Sequence, residues 1–168
     1  MNTLEIAFIN VFSPYKVWNR GDILYFETDN GCRYSIDFDE ENHPDFQAYW
    51  FNLNNLDHIA SPNDKKIWQT VFCVIEEFFR MNPDILLYMC STAGEQQAQR
   101  ARLFTYWFSK AGQQERFYFK TAEVRGDDPQ RKNNREYVAI IIPRSHPNAE
   151  KALAAFEAET EMFNSMKP

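Results

Sequence analysis

Residues 61–83 write out one long amphipathic helix, and that helix constrains the fold more than any other segment. Ile67, Trp68, Val71, Phe72, Ile75, Phe78 and Phe79 recur at helical spacing as a wide apolar stripe. Lys65, Lys66, Gln69, Glu76 and Glu77 fall away from it. Ser61 as cap, Pro62 at the first helical position and Asp64 at a capping-box spacing predict the start. Asn82-Pro83 predicts the end, because the residue before a proline is driven out of the helical region. A stripe this wide has to be covered by a second layer.

The flanking segments read as the strands of that layer. Leu4, Ile6 and Phe8 alternate as an opening strand. Residues 23–26 lead through Asp29-Asn30-Gly31 into a run that sets Cys32, Tyr34, Ile36 and Phe38 against Arg33, Ser35 and Asp37, a hairpin signal. Tyr49, Phe51 and Leu53 share a face of the next segment. After the helix, residues 85–90 form a short continuous apolar run, the pattern of a buried central strand. Thr92 and Glu95 predict a second helical start, whose stripe is Arg100, Leu103, Phe104, Trp107, Phe108 and Ala111, with Gly112 as its stop. Residues 117–124 and 137–142 read as two closing strands joined by the polar loop 125–135. Ser145 and Pro147 open a last helix with Leu153, Phe156, Thr160 and Phe163 on its inner face. The prediction is an α+β fold in one domain over residues 1–168. It has a single mixed, mainly antiparallel sheet with helices packed against it, in the order β-β-β-β-α-β-α-β-β-α.

Composition narrows the class. Fifteen Phe, eight Tyr and four Trp in 168 residues supply the large apolar side chains of a sizeable core. No basic leader opens the chain and no apolar run nears the ~20 residues that span a bilayer, so no membrane segment is expected. Cys32, Cys73 and Cys90 make no CxxC pair, and an odd count speaks for reduced thiols in a cytoplasm. The net charge is −6, which argues against general nucleic-acid coating. It is unevenly placed, −7 over residues 1–60 and +4 over residues 93–146.

The strand-to-helix turn Cys90-Ser91-Thr92-Ala93-Gly94 is the most site-like stretch. Amides at a helix start, hydroxyls beside them and arginines further along are the parts of an anion site, which makes Ser91, Thr92, Arg100, Arg102 and Arg125 the candidate ligand contacts. Plain N-capping explains Ser91 and Thr92 equally well. A phosphate-binding P-loop is excluded, since no GxxxxGK[ST] occurs. Nine residues separate Cys90 from Arg100, which does not fit a Cys-x5-Arg phosphatase loop. His43, His58 and His146 are scattered, without zinc-binding spacing, and no Ser lies in a GxSxG elbow. The acidic group Asp37, Asp39, Glu40, Glu41 and Asp45 lacks the glycine-punctuated loop of a calcium site. No catalytic residue, metal ligand or cofactor is therefore assigned.

Two resemblances follow from these residues. Lys66-Ile67, Thr70, Glu77-Phe78-Phe79, Leu87-Tyr88-Met89-Cys90, Gln97, Arg100, Arg102, Leu103-Phe104 and Trp107-Phe108 together resemble an uncharacterised bacterial family whose domain has no known function. The element order from the second strand onward also resembles the GNAT fold of coenzyme A-dependent N-acetyltransferases. That resemblance implies a coenzyme A pyrophosphate at a glycine-containing turn before the long helix. Here residues 58–66 contain no glycine, and Pro62 removes an amide donor, so the site it implies is not preserved.

The resulting expectation is a non-catalytic binding or interaction protein, accessory or regulatory, in a bacterial cell, with a protein partner or self-association between its acidic and basic regions. The alternative is an enzyme or sensor for a small phosphorylated ligand, such as a nucleotide or an acyl-coenzyme A. Nucleic-acid binding through the basic loop, with Tyr118 and Tyr137 nearby, is the less favoured reading.

Overall fold

The computed structural model describes residues 1–59, 64–90, 97–125 and 135–166, apart from the side chains of Cys90, residues 97–100, Ala111 and Arg135. The elements are α1 (Ile6–Phe12), β1 (Val17–Arg20), β2 (Ile23–Glu27), β3 (Arg33–Asn42), β4 (Gln47–Asn55), α2 (Lys65–Met81), β5 (Ile85–Cys90), α3 (Gln97–Phe108), α4 (Ala111–Arg116), β6 (Phe117–Arg125), β7 (Arg135–Pro143) and α5 (Ala149–Met166). The described strands form one mixed sheet in the order β1-β2-β3-β4-β5-β7-β6, and the fold class is α+β as predicted. The chain divides into two compact units, Met1–Asp39 with Phe51–Pro83, and Glu40–Trp50 with Asp84–Pro168.

In the first unit the opening segment is a helix, not a strand. The Leu4, Ile6, Phe8 alternation is not what is buried: Leu4 and Ile9 are, while Phe8 is exposed. Glu5 starts the helix, its carbonyl accepting from the amides of Phe8 and Ile9, and Ser13-Pro14 stops it. The first strand comes later, at β1, joined to β2 by a two-residue turn at Gly21-Asp22, where Gly21 has φ 61° and Arg20 pairs with Ile23. A positive φ at the first turn position is what glycine permits in such a hairpin. At the β2–β3 turn Gly31 alone takes positive φ (77°), while the Thr28 amide donates to the Cys32 carbonyl.

Helix α2 begins at Asp64, whose carboxylate accepts from the Lys66 amide at 2.9 Å; the predicted caps Ser61 and Pro62 lie outside the described residues. Its end at Asn82 is as predicted. Ile67, Val71, Val74, Ile75, Phe78 and Phe79 are buried, and Phe38 lies between Phe51 and Phe78 with ring centroids at 5.7 and 4.8 Å. Glu77, expected on the wet face, is fully buried. It accepts from the Glu5 amide at 2.8 Å and from Arg80 at 2.7 and 3.0 Å, so α1 docks on α2 through this carboxylate. Asn82 clips the N-terminal segment to the other end of that contact, accepting from the Asn2 amide at 2.6 Å.

In the second unit α5 covers one face of β5, β7 and β6, and α3 the other, as the period-2 pattern of a doubly covered sheet requires. Under α5 lie Ile85 and Leu87 of β5, Val138, Ile140 and Ile142 of β7, and Val124 of β6, closed by Ala149, Ala152 and Phe156. On the opposite face Phe104 stacks on Tyr88 at 4.3 Å and Phe108 on Phe119 at 4.7 Å. Gly112 does not end α3 as predicted. The helix stops at Phe108, where the Ser109 hydroxyl takes the Tyr106 carbonyl, and Gly112 sits inside the short α4. The predicted start of α3 at Thr92 and Glu95, and residues 126–134 of the polar loop, lie outside the described residues.

Candidate functional site

A concavity lined mainly by apolar side chains lies in the second unit, on the α5 face. It encloses about 250 Å³. Its floor is Leu87 and Met89 of β5, Val138 and Ile140 of β7 and Val124 of β6; Phe46 and Trp50 of β4 and its approach, with Phe156 and Phe163 of α5, complete the apolar lining. The polar groups are Glu41, His43, Glu136, Glu159 and Thr160. A small apolar chamber with a few polar groups is the usual form of a small-ligand site, and this one falls just below the ~300–1,000 Å³ such sites occupy.

Among the described residues, each side-chain donor in this lining is already committed. The Asp45 backbone amide donates to His43 Nδ1 at 3.1 Å, which places the ring proton on Nε2, where it is donated to Glu159 Oε1 at 2.5 Å. Phe46 stacks on the same imidazole with centroids 4.3 Å apart, holding its plane. Trp50 Nε1 donates to Glu41 Oε2 at 2.8 Å. The Thr160 hydroxyl donates back to the Phe156 carbonyl at 2.9 Å, an ordinary choice for a threonine within a helix. The carboxylates keep acceptor capacity beyond these bonds, since each offers about four lone-pair sites. Asp45, next to the histidine, is held below the ordinary carboxylate range by its hydrogen bond to Lys151 at 2.8 Å.

A second polar cluster lies in the first unit, at the start of α2. The Tyr15 hydroxyl is hydrogen-bonded to Asp64, and Lys66 pairs with Asp29 at 2.8 Å while standing 5.6 Å from the Tyr15 ring centroid. Burial, and then the bond to Asp64, push the Tyr15 phenol up to about 12. This is the described part of the turn where the acetyltransferase resemblance places a pyrophosphate. Its lysine is matched to an aspartate and its helix start is capped by another.

Of the candidates read from the sequence, Ser91 and Thr92 lie outside the described residues. Arg100 is in α3, with its side chain outside the description, and Arg102 is exposed one half-turn on. Arg125 ends β6, where its amide donates to Asn164 Oδ1 at 3.2 Å. Neither Arg102 nor Arg125 is among the residues that line the cavity. Sequence reasoning passed over Trp50, Met89, Glu136 and Glu159 as site residues, set His43 aside for lack of metal spacing, and set Glu41 aside with an acidic group that lacks a calcium loop. One signal was present: Phe46, Ala48 and Trp50 are apolar on the face opposite Tyr49 and Phe51, which marks the start of β4 as covered on both sides. The acidic hairpin is satisfied by amides, Asn52 donating to Asp37 and Asp39 at 2.8 and 2.7 Å.

The chain belongs to a family of unknown function, DUF6169, whose sequence profile matches residues 63–158, more than half of its length. The matched stretch contains the cavity floor, while Glu41, His43, Phe46, Trp50 and Glu159 fall outside it. No curated protein and no solved structure matches the chain. Among the described residues no helix is long and apolar enough to cross a membrane.

Proposed function

We propose that this chain is a non-catalytic binding protein whose ligand occupies the cavity under α5. The observation that carries the reading is the chamber itself: a sheet face left open by α5 and walled by Phe46, Trp50, Phe156 and Phe163. Its chemistry supports binding over turnover, because the lining holds no Ser, Cys or Lys among the described residues, and His43 has both ring nitrogens engaged. The test is thermal unfolding with a neutral apolar probe, 2-phenylethanol. A ligand at about a hundred times its Kd stabilises the native state by roughly 2.7 kcal/mol, so a dose-dependent rise in Tm is expected. Val138→Phe, which fills the floor, and Thr160→Phe, which narrows the mouth, are each expected to abolish the rise. An equal rise in both variants refutes the site.

The alternative, a small phosphorylated ligand, rests on the strand-to-helix turn at Ser91 and Thr92 with Arg100, Arg102 and Arg125. The same melts with nucleotides and coenzyme A decide between them, since a shift by these and none by 2-phenylethanol favours the turn. Association with a protein partner or a second copy is a companion proposal, supported by Val11 and Phe12 of α1, which are 67% and 75% exposed.

A further inference from the structure

The polar groups around the cavity present acceptors and no available side-chain donor among the described residues. The side-chain donors of the lining are His43, Trp50 and Thr160, and they are spent on Glu159, Glu41 and the Phe156 carbonyl. What remains facing a ligand is the unused acceptor capacity of three carboxylates. Glu136 is half-buried at the start of β7 and has no partner among the described residues. Glu41 is half-buried with one oxygen on Trp50, and Glu159 is exposed with one oxygen on His43. An anionic ligand meets repulsion at each of these positions, and a neutral acceptor finds no donor. A ligand N–H cation matches them, because hydrogen bonds to ionised groups are about twice as strong as neutral ones. The aromatic walls favour the same charge through their ring faces.

We infer that the cavity's ligand is a small organic cation, a protonated amine on a compact apolar body, with the ammonium held among Glu41, Glu136 and Glu159 and the hydrocarbon on Leu87, Val138 and Phe156. The inference rests on the binding reading above. The volume of about 250 Å³ selects a small molecule over an extended chain.

The experiment is calorimetric titration of the full chain with three probes that share one ring: 2-phenylethylamine, 2-phenylethanol and phenylacetate. The amine is expected to bind at least about tenfold more tightly than the alcohol, the factor set by one charge-assisted hydrogen bond, and the carboxylate more weakly than either. The triple variant Glu41→Gln, Glu136→Gln, Glu159→Gln is expected to bring the amine to within about twofold of the alcohol. Glu136→Gln alone, at a position with no described partner, carries the same test with the least disturbance and is expected to lower only the amine's affinity. If the alcohol binds as tightly as the amine, or the carboxylate outbinds both, the cation is refuted while the cavity reading stands. If neither alcohol nor amine binds, both fall together.

Discussion

Phe156→Ala measures whether the cavity is the open, solvent-reachable chamber on which the functional reading depends. Phe156 is 6% exposed, packs with Ile85, Leu87, Ile140 and Ile142, and also forms a wall of the cavity. Truncating a buried phenylalanine costs about 3–5 kcal/mol, part of it a penalty of about 24 cal/mol per Å³ of void left behind. At this position water enters the new space through the existing mouth, and the void penalty lapses. What remains is the transfer of the ring, about 1.5–3 kcal/mol. Phe104 is the control in the same unit: it is 1% exposed, stacks on Tyr88 across the other face of the sheet, and lies outside the cavity lining. Its removal leaves a closed void at the full ~3–5 kcal/mol. With a slope of about 2 kcal/mol per M urea, the midpoint falls by about 0.75–1.5 M for Phe156→Ala and about 1.5–2.5 M for Phe104→Ala. Urea unfolding followed by far-ultraviolet circular dichroism reads both. A loss for Phe156→Ala equal to or larger than that for Phe104→Ala refutes the argument, because it means that the space beside Phe156 is sealed.

The Tyr15 phenol gives a pH dependence of definite sign. Its pKa in the native state is pushed up to about 12 while the unfolded phenol ionises near 10, so its contribution is whole below about pH 10 and is lost as pH rises from there to about 12. Tyr15→Phe is expected to flatten that limb of the stability profile, and an unchanged limb contradicts the assignment. For α1, the double variant Val11→Ser, Phe12→Ser is expected to abolish any concentration-dependent mass of the native chain in sedimentation. A native chain that stays monomeric at every concentration removes the self-association proposal.

Where one periodicity ruled a segment, the sequence was readable. The stripe of α2, the inward Tyr34 and Ile36 of β3 and the apolar run of β5 all lie where the pattern puts them, because each is buried within its own unit. The opening residues were misread because Leu4, Ile6 and Phe8 alternate over too few positions to tell period 2 from 3.6, and only Glu5 and Pro14 mark the helix. Gly21-Asp22 did carry a hairpin signal, which the polar flanks Asn19 and Arg20 obscured. Glu77 shows a deeper limit. A carboxylate is buried only when its partners are, and the Glu5 amide that receives it is 72 positions away in sequence. The cavity is of the same kind: Glu41, Glu136 and Glu159 carry no local motif, and they line one cavity only through strand pairing and the docking of α5. Arg102 and Arg125 are exposed and lie outside the cavity lining.

The most direct measurement of the central claim is the position of binding. Backbone and methyl NMR resonances of the labelled chain, titrated with 2-phenylethylamine, are expected to move at Met89, Val138, Phe156 and Thr160 and to stay still at Tyr15, Asp64 and Arg102. Shifts confined to the start of α2 or to α3, with the α5 face unmoved, contradict the account.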